Sequence, residues 1–149
     1  MLLSRLVSRG LQGYWRLMRG LRLGAEACVV NGGGQVLLVK TGHGSDWCLP
    51  RGVVRKGETL QATLLTLLRD GYGIDVTSKP DLIWIYVEDG HAPTDQTGLF
   101  VVRQWRQTVP TSSTEAAFFS LNALPEEIAP QTAARIRRAL EGRTASEVC

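Results

Sequence analysis

The residues best suited to chemistry in this chain lie in one stretch, Leu49 to Val76, reading LPRGVVRKGETLQATLLTLLRDGYGIDV. Arg51, Arg55 and Lys56 crowd a short loop together with Gly52 and Gly57. Glycines let a backbone approach a phosphate closely, and an arginine fork can pair with one bidentately. Three cations on a loop also serve as plain solvated charge, so anion binding is one of two readings. Two carboxylates accompany them: Glu58, where a helix opens, and Asp70, the single acid between Thr59 and Ile74. The plain alternative for Glu58 is a first-turn residue favoured by the helix dipole. For Asp70 it is a solvated position near a helix end.

This frame resembles the Nudix box, whose pattern is Gly, five residues, Glu, seven residues, Arg-Glu, an aliphatic, any residue, Glu-Glu, any residue, Gly and an aliphatic. Gly52, Glu58, Leu68, Gly73 and Ile74 fall on it, preceded by Trp47 and Leu49-Pro50. The Arg-Glu pair becomes Thr66-Leu67 and the Glu-Glu pair becomes Asp70-Gly71. The resemblance implies an α+β Nudix fold, a mixed β-sheet sandwiched between helices (α/β/α), over about residues 22–141. It implies hydrolysis of a nucleoside diphosphate linked to another group, with Mg²⁺ as cofactor. Carried over residue by residue, Glu58 and Asp70 become the catalytic and metal positions. Arg51, Gly52, Arg55 and Lys56 become the phosphate-binding ones. The family also draws an acid from a loop outside the box, for which Glu88, Asp89, Asp95 and Glu115 are candidates and Glu115 is the choice for a metal ligand. Each of the four also reads as ordinary surface charge.

The departures are concentrated where the metal should sit. Residues i, i+3 and i+4 share a helix face, so the family's three late glutamates project together. Mg²⁺ takes oxygen ligands in octahedral geometry and would be held there against the diphosphate. The corresponding trio is Leu67, Asp70 and Gly71, which leaves one short carboxylate. The helix is apolar well beyond a single stripe, with Leu60, Leu64, Leu65, Leu67 and Leu68. Either protein covers the former metal face, or that face receives a partner or ligand. Three functions therefore compete. The first is a Nudix-fold protein weak or inactive as a hydrolase, acting as a ligand-binding or interaction module for a nucleotide-type or other phosphorylated small molecule. The second is an active Mg²⁺-dependent pyrophosphohydrolase using Asp70, Glu58 and a loop carboxylate. The third works through the N-terminal segment, with the core as scaffold.

That segment, residues 1–21, is read as a basic amphipathic helix. At 100° per residue, Arg5, Arg9, Arg16 and Arg19 fall within an arc of about 80°, opposite Leu3, Leu6, Val7, Leu11, Tyr14, Leu17 and Met18. It can pack on the domain, lie on an anionic membrane surface as a peripheral contact, or act as an Arg-rich targeting peptide. Packing on the domain is preferred, because Trp15 and Leu21 lead into the first strand without a linker. Residues 1–24 hold five arginines and no acid, so of the net +3 the remainder carries +3 less +5, or −2. A charge confined to one segment without a reading motif argues against specific nucleic-acid binding.

The elements that must position the box follow from pattern. Leu23 to Val30 and Gln35 to Lys40 read as strands of a hairpin joined by Asn31-Gly32-Gly33-Gly34. The glycine run is not a phosphate loop, since no helix follows it. Leu82 to Val87, Gly98 to Arg106 and Glu115 to Phe119 read as further strands. A polar loop covers 88–97, a final helix runs Pro130 to Glu141, and a frayed tail follows from Arg143. The 149 residues suffice for one domain, 22–142, with a real core. Cys28, Cys48 and Cys149 show no paired spacing, so neither a disulfide framework nor a zinc site is indicated, and a reducing, cytoplasmic setting is the default. No apolar run approaches about 18 residues, which argues against a spanning helix. His43 and His91 sit in Gly-bearing loops and read as solvated.

Overall fold

The computed structural model describes residues 22–40, 46–87, 96–111 and 114–141. The expected helix over 2–19, the acids Glu88, Asp89 and Asp95, both histidines and the tail from Arg143 lie outside the described residues.

Among the described residues, nine strands and two helices make the expected mixed architecture. The strands are β1 (Leu23–Val29), β2 (Val36–Lys40), β3 (Trp47–Cys48), β4 (Arg51–Val53), β5 (Ile74–Val76), β6 (Asp81–Val87), β7 (Gln96–Val102), β8 (Trp105–Gln107) and β9 (Ala116–Phe119). Helix α1 (Leu60–Tyr72) carries the box and α2 (Pro130–Leu140) closes the described body, with a 3-10 turn at Leu121–Ala123. The main sheet has the order β4-β1-β7-β6, in which β1 and β7 run parallel and the other pairs antiparallel. A second sheet has the order β3-β2-β9, and β5 pairs with β8.

Alternation along β1 divides the core between two faces, as period-two side chains require. Ala25, Ala27 and Val29 join Leu64 and Leu68 of α1. Cys28 and Val30 join Ile136 and Ala139 of α2. Leu64 and Leu68 are fully buried, and each such side chain contributes about 1.5–3 kcal/mol. In β6 a bulge between Leu82 and Trp84 shifts the register, so buried Ile83 and Tyr86 lie three residues apart instead of two.

Three expectations are revised. The turn after β1 forms, with Asn31 Oδ1 accepting from the N–H groups of Gly33 (3.1 Å) and Gln35 (2.9 Å). Its strands share only the bridge Val30–Val36 before diverging into separate sheets, so they do not make a two-stranded hairpin. The run from Gly98 to Arg106 is two strands, broken where β8 turns to pair with β5. Arg51 and Gly52, read as loop, belong to β4 and pair with Glu26 and Ala25 of β1.

Candidate functional site

Helix α1 is set by its ends. Thr59 is extended, and its Oγ1 accepts from the Ala62 N–H at 3.0 Å, satisfying one of the donors that a helix start leaves unpaired. Gly73 closes the helix in the left-handed conformation, with φ of 68° and its N–H bonded to the Arg69 carbonyl. The helix therefore continues through Gly71 and stops at Gly73. Glu58 precedes the cap, so it is not the first-turn residue that the dipole reading required.

One face of α1, the end of β4 and the loop after it enclose an open cleft of roughly 370 Å³, lined by Gly52, Val53, Arg55, Glu58, Thr63, Thr66, Leu67 and Asp70. Both expected carboxylates thus open into one cavity with Gly52 and Arg55. The Thr63 hydroxyl donates to Glu58 Oε2 at 2.9 Å, holding the carboxylate from within the helix. Asp70 Oδ1 accepts from Arg69 Nε at 3.2 Å, and its backbone carbonyl accepts from the Thr111 N–H and hydroxyl at 2.9 Å. Leu67 is half-buried, and a Cβ placed on Gly52 would meet its Cδ2 at 3.3 Å. The leucine side chain rests on the β4 backbone because Gly52 has no side chain there.

The other candidates are placed elsewhere. Arg51 lies on the opposite face of the sheet, its Nε 3.5 Å from where a Gly24 side chain would begin and its charge acting on Glu26. Lys56 and Glu115 are not among the cleft-lining residues. Glu115 sits beside the second sheet, where its carbonyl accepts from the Lys40 N–H.

Among the described residues the cleft presents two carboxylates, Glu58 and Asp70. Thr63, Leu67 and Asp70 follow one another at i, i+4 and i+7 on one face, and Thr63 to Asp70 spans about 10.5 Å of axis. Glu58 is anchored at the Thr63 end, and Mg²⁺ is usually held by one or two carboxylates together with substrate phosphates. Leu67 lines the cleft with them and lies against Gly52. Among the described residues no group of three His, Cys, Asp or Glu side chains could hold a metal ion. What the cleft offers is one guanidinium, Arg55, and the Gly52 backbone beside two carboxylates, Glu58 and Asp70.

A second polar cluster was not singled out from the sequence. Buried Glu26 accepts from the Tyr86 hydroxyl at 2.9 Å and from Arg135 Nη1 at 3.3 Å, both at Oε2. Burial raises the carboxyl above its ordinary range, against the lowering pull of Arg135. Arg135 stacks on Tyr86 at 4.1 Å and Arg138 on Trp84 at 3.8 Å, walling a groove of roughly 620 Å³ between β6 and α2. The sequence signal was an acid in the middle of an otherwise apolar strand, LGAEACV.

The described residues include no helix long and apolar enough to cross a membrane. No curated protein matches this chain in sequence. Solved structures do match in fold. A MutT structure from work on the Aliivibrio salmonicida and Vibrio cholerae proteins has a TM-score of 0.67 at 14% identity, over 82% of this chain and 98% of that one. The MutT NUDIX hydrolase of Burkholderia pseudomallei gives 0.61 at 18% identity, over 78% and 96%. The NUDIX domain of Shewanella oneidensis NrtR, determined with ADP ribose, gives 0.61 at 18%, over 81% and 87%. Likeness at such identity establishes the fold alone. The sequence model of the NUDIX domain, however, matches residues 20–140, and with the box frame at Gly52, Glu58, Leu68, Gly73 and Ile74 this chain belongs to the Nudix family, whose hydrolases act on nucleoside diphosphate derivatives.

Proposed function

We propose that this protein is a Nudix-fold module that binds the diphosphate of a nucleotide-type ligand and hydrolyses it weakly or not at all. The observation carrying the proposal is Leu67, seated on Gly52 in the cleft that Glu58 and Asp70 also line. An apolar side chain there supplies no ligand for an ion. Arg55 on the cleft rim, with Lys56 beside it in sequence, provides charge-assisted hydrogen bonds to phosphate oxygens. The NrtR domain, which holds ADP ribose on the same fold, makes that compound a suitable probe. Free Cys28 and Cys48 suit a reducing, cytoplasmic location.

The test is phosphate release from nucleoside diphosphate derivatives with and without Mg²⁺, run beside calorimetric binding of ADP ribose. The expected result is saturable binding with negligible turnover. A Leu67→Glu, Gly71→Glu double variant should gain Mg²⁺ binding. The Gly71 position is open, with no atom within 4 Å of an added Cβ. Robust wild-type turnover abolished by Asp70→Ala or Glu58→Ala would overturn the proposal. It would favour instead an active Mg²⁺-dependent pyrophosphohydrolase drawing a further carboxylate from a loop, Glu115 included. That second reading rests on Glu58 and Asp70 opening into the same cleft.

A further inference from the structure

Strand β6 ends the main sheet, so its outer edge has no partner strand among the described residues. A free edge seven residues long offers a row of backbone donors and acceptors to another chain. Its two faces differ in chemistry. On the α2 face, Trp84 and Tyr86 floor the groove of roughly 620 Å³, and the guanidiniums of Arg138 and Arg135 lie over their rings. Arg135 is committed to Glu26, whereas Arg137 and Arg138 are exposed and make no ion pair among the described residues. Against these three arginines the described lining residues include one acid, Glu141. A guanidinium held against a ring keeps its planar fork oriented and loses less freedom when it takes a carboxylate. On the α1 face, Leu82 and Ile85 stand in register with Phe100 and Gly98 and are 44% and 50% exposed.

We propose that the β6 edge receives an extended segment of a partner protein in which acidic and apolar side chains alternate. Laid beside β6, such a segment gains main-chain hydrogen bonds along the edge, and its alternate side chains fall on opposite faces of the sheet. Its acids then meet Arg138 and Arg137, and its apolar side chains cover Leu82 and Ile85. The spacing suits more than one acid. The Trp84 and Tyr86 rings beneath the arginines lie 5.7 Å apart, and side chains on one face of a strand recur at about 6.8 Å. Two other occupants fit less well. Single-stranded nucleic acid stacks its bases on aromatic rings, and here the guanidiniums already lie over both. A second copy joined edge to edge about a two-fold axis would set like patches together and bring two sets of arginines to the same seam. The edge is at the opposite end of the main sheet from β4 and the cleft, so the inference stands whether or not the cleft binds nucleotides.

The test is fluorescence anisotropy at low salt, with the full chain titrated into a labelled peptide of alternating Glu and Val, blocked at both ends and matched to β6 in length. The expected result is saturable binding, weakened at least about tenfold by Arg138→Gln, which removes a charge-assisted hydrogen bond. Arg137→Gln and Ile85→Glu should each weaken it as well. Methylating the peptide amides that face β6 should abolish binding while leaving the charge intact, because the edge hydrogen bonds are then lost. No saturation by about 1 mM protein would overturn the proposal. So would unchanged affinity in Arg138→Gln, or equal binding of a peptide with Lys in place of Glu. Tighter binding of an oligothymidylate, lost in Arg138→Gln, would assign the groove to nucleic acid. A dimer of the unaltered chain in sedimentation, broken by Ile85→Glu, would assign the edge to a second copy. Either outcome also overturns it.

Discussion

The guanidinium of Arg135 lies 3.3 Å from the carboxylate of Glu26, tying helix α2 to the middle of β1 through a pair in which both side chains are largely removed from solvent. Tyr86 completes the join, its hydroxyl on the same carboxylate oxygen and its ring beneath the guanidinium. Glu26 Oε1 is left without a partner among the described residues. The pair is thus an incompletely satisfied buried charge, and its contribution to stability must vary with pH.

The direction follows from the raised carboxyl. Burial lifts the folded-state pKa of Glu26 above 4.5, so the folded protein holds its proton more tightly than the unfolded chain. The stability associated with that proton is fully present below about 4.5 and is lost as pH rises through the raised folded value. Glu26→Gln cannot ionise and should flatten this part of the profile. Arg135→Met removes the main lowering influence and leaves the carboxylate buried, a change that costs about 3–5 kcal/mol when the partner stays charged. Urea denaturation from pH 4 to 8 should show the gap between Arg135→Met and wild type widening with rising pH. A constant gap would contradict the assignment.

Cys28 should be inert in the folded state. Burial in β1 pushes its thiol up to about 12, so almost no thiolate exists near neutrality. Cys48 is only half-buried, although its thiol is raised as well and lies 3.5 Å from the Val39 carbonyl. Labelling with a thiol-reactive disulfide reagent should therefore modify Cys48 before Cys28, with Cys28 reacting only at the rate of unfolding. Early modification of Cys28 would show that the core opens more readily than its packing implies.

The two late glycines of the box should respond in opposite directions to alanine. Gly73 has φ of 68°, and any Cβ there would collide with the Thr108 carbonyl. Gly73→Ala should cost about 1–3 kcal/mol from the backbone conformation alone, and more from the displaced carbonyl. Gly71 is inside the helix with open space beside it, so Gly71→Ala should stabilise by up to about 1 kcal/mol. Thermal melting of both variants separates the two roles.

The same box shows what sequence could and could not supply. Gly73 was legible as a stop because a left-handed position selects glycine, and the apolar periodicity of α1 was legible because burial selects leucine. Arg51 read as part of a cationic loop, but its direction depends on a strand register fixed by pairing with Glu26, 25 residues away. A one-residue change in such a register moves a side chain to the other face. The Glu26–Tyr86–Arg135 cluster was hidden for a similar reason: its members lie 60 and 109 residues apart and meet only through the sheet and α2. Leu67 was visible as a missing ligand, but its seat on Gly52 required the helix-to-strand packing.

Arg55 and Arg51 give the final contrast, because the sheet places these two loop-region cations on different sides. Arg55 lines the cleft, whereas Arg51 faces Glu26. If the cleft takes a diphosphate, Arg55→Gln removes a charge-assisted hydrogen bond worth about 1.5–3 kcal/mol, weakening ADP ribose about tenfold or more. Wild-type affinity should fall with added salt, and the Arg55→Gln variant should show a shallower dependence, because one fewer exposed charge is being screened. Arg51→Gln should leave the affinity and its salt dependence nearly unchanged. It should instead lift the Glu26 carboxyl further, since Arg51 is one of the charges that lower it. Calorimetric titration of the three proteins at two salt concentrations reads the first effect, and the pH profile of stability reads the second. Loss of binding in Arg51→Gln with Arg55→Gln unaffected would move the anion site to the α2 side of the sheet.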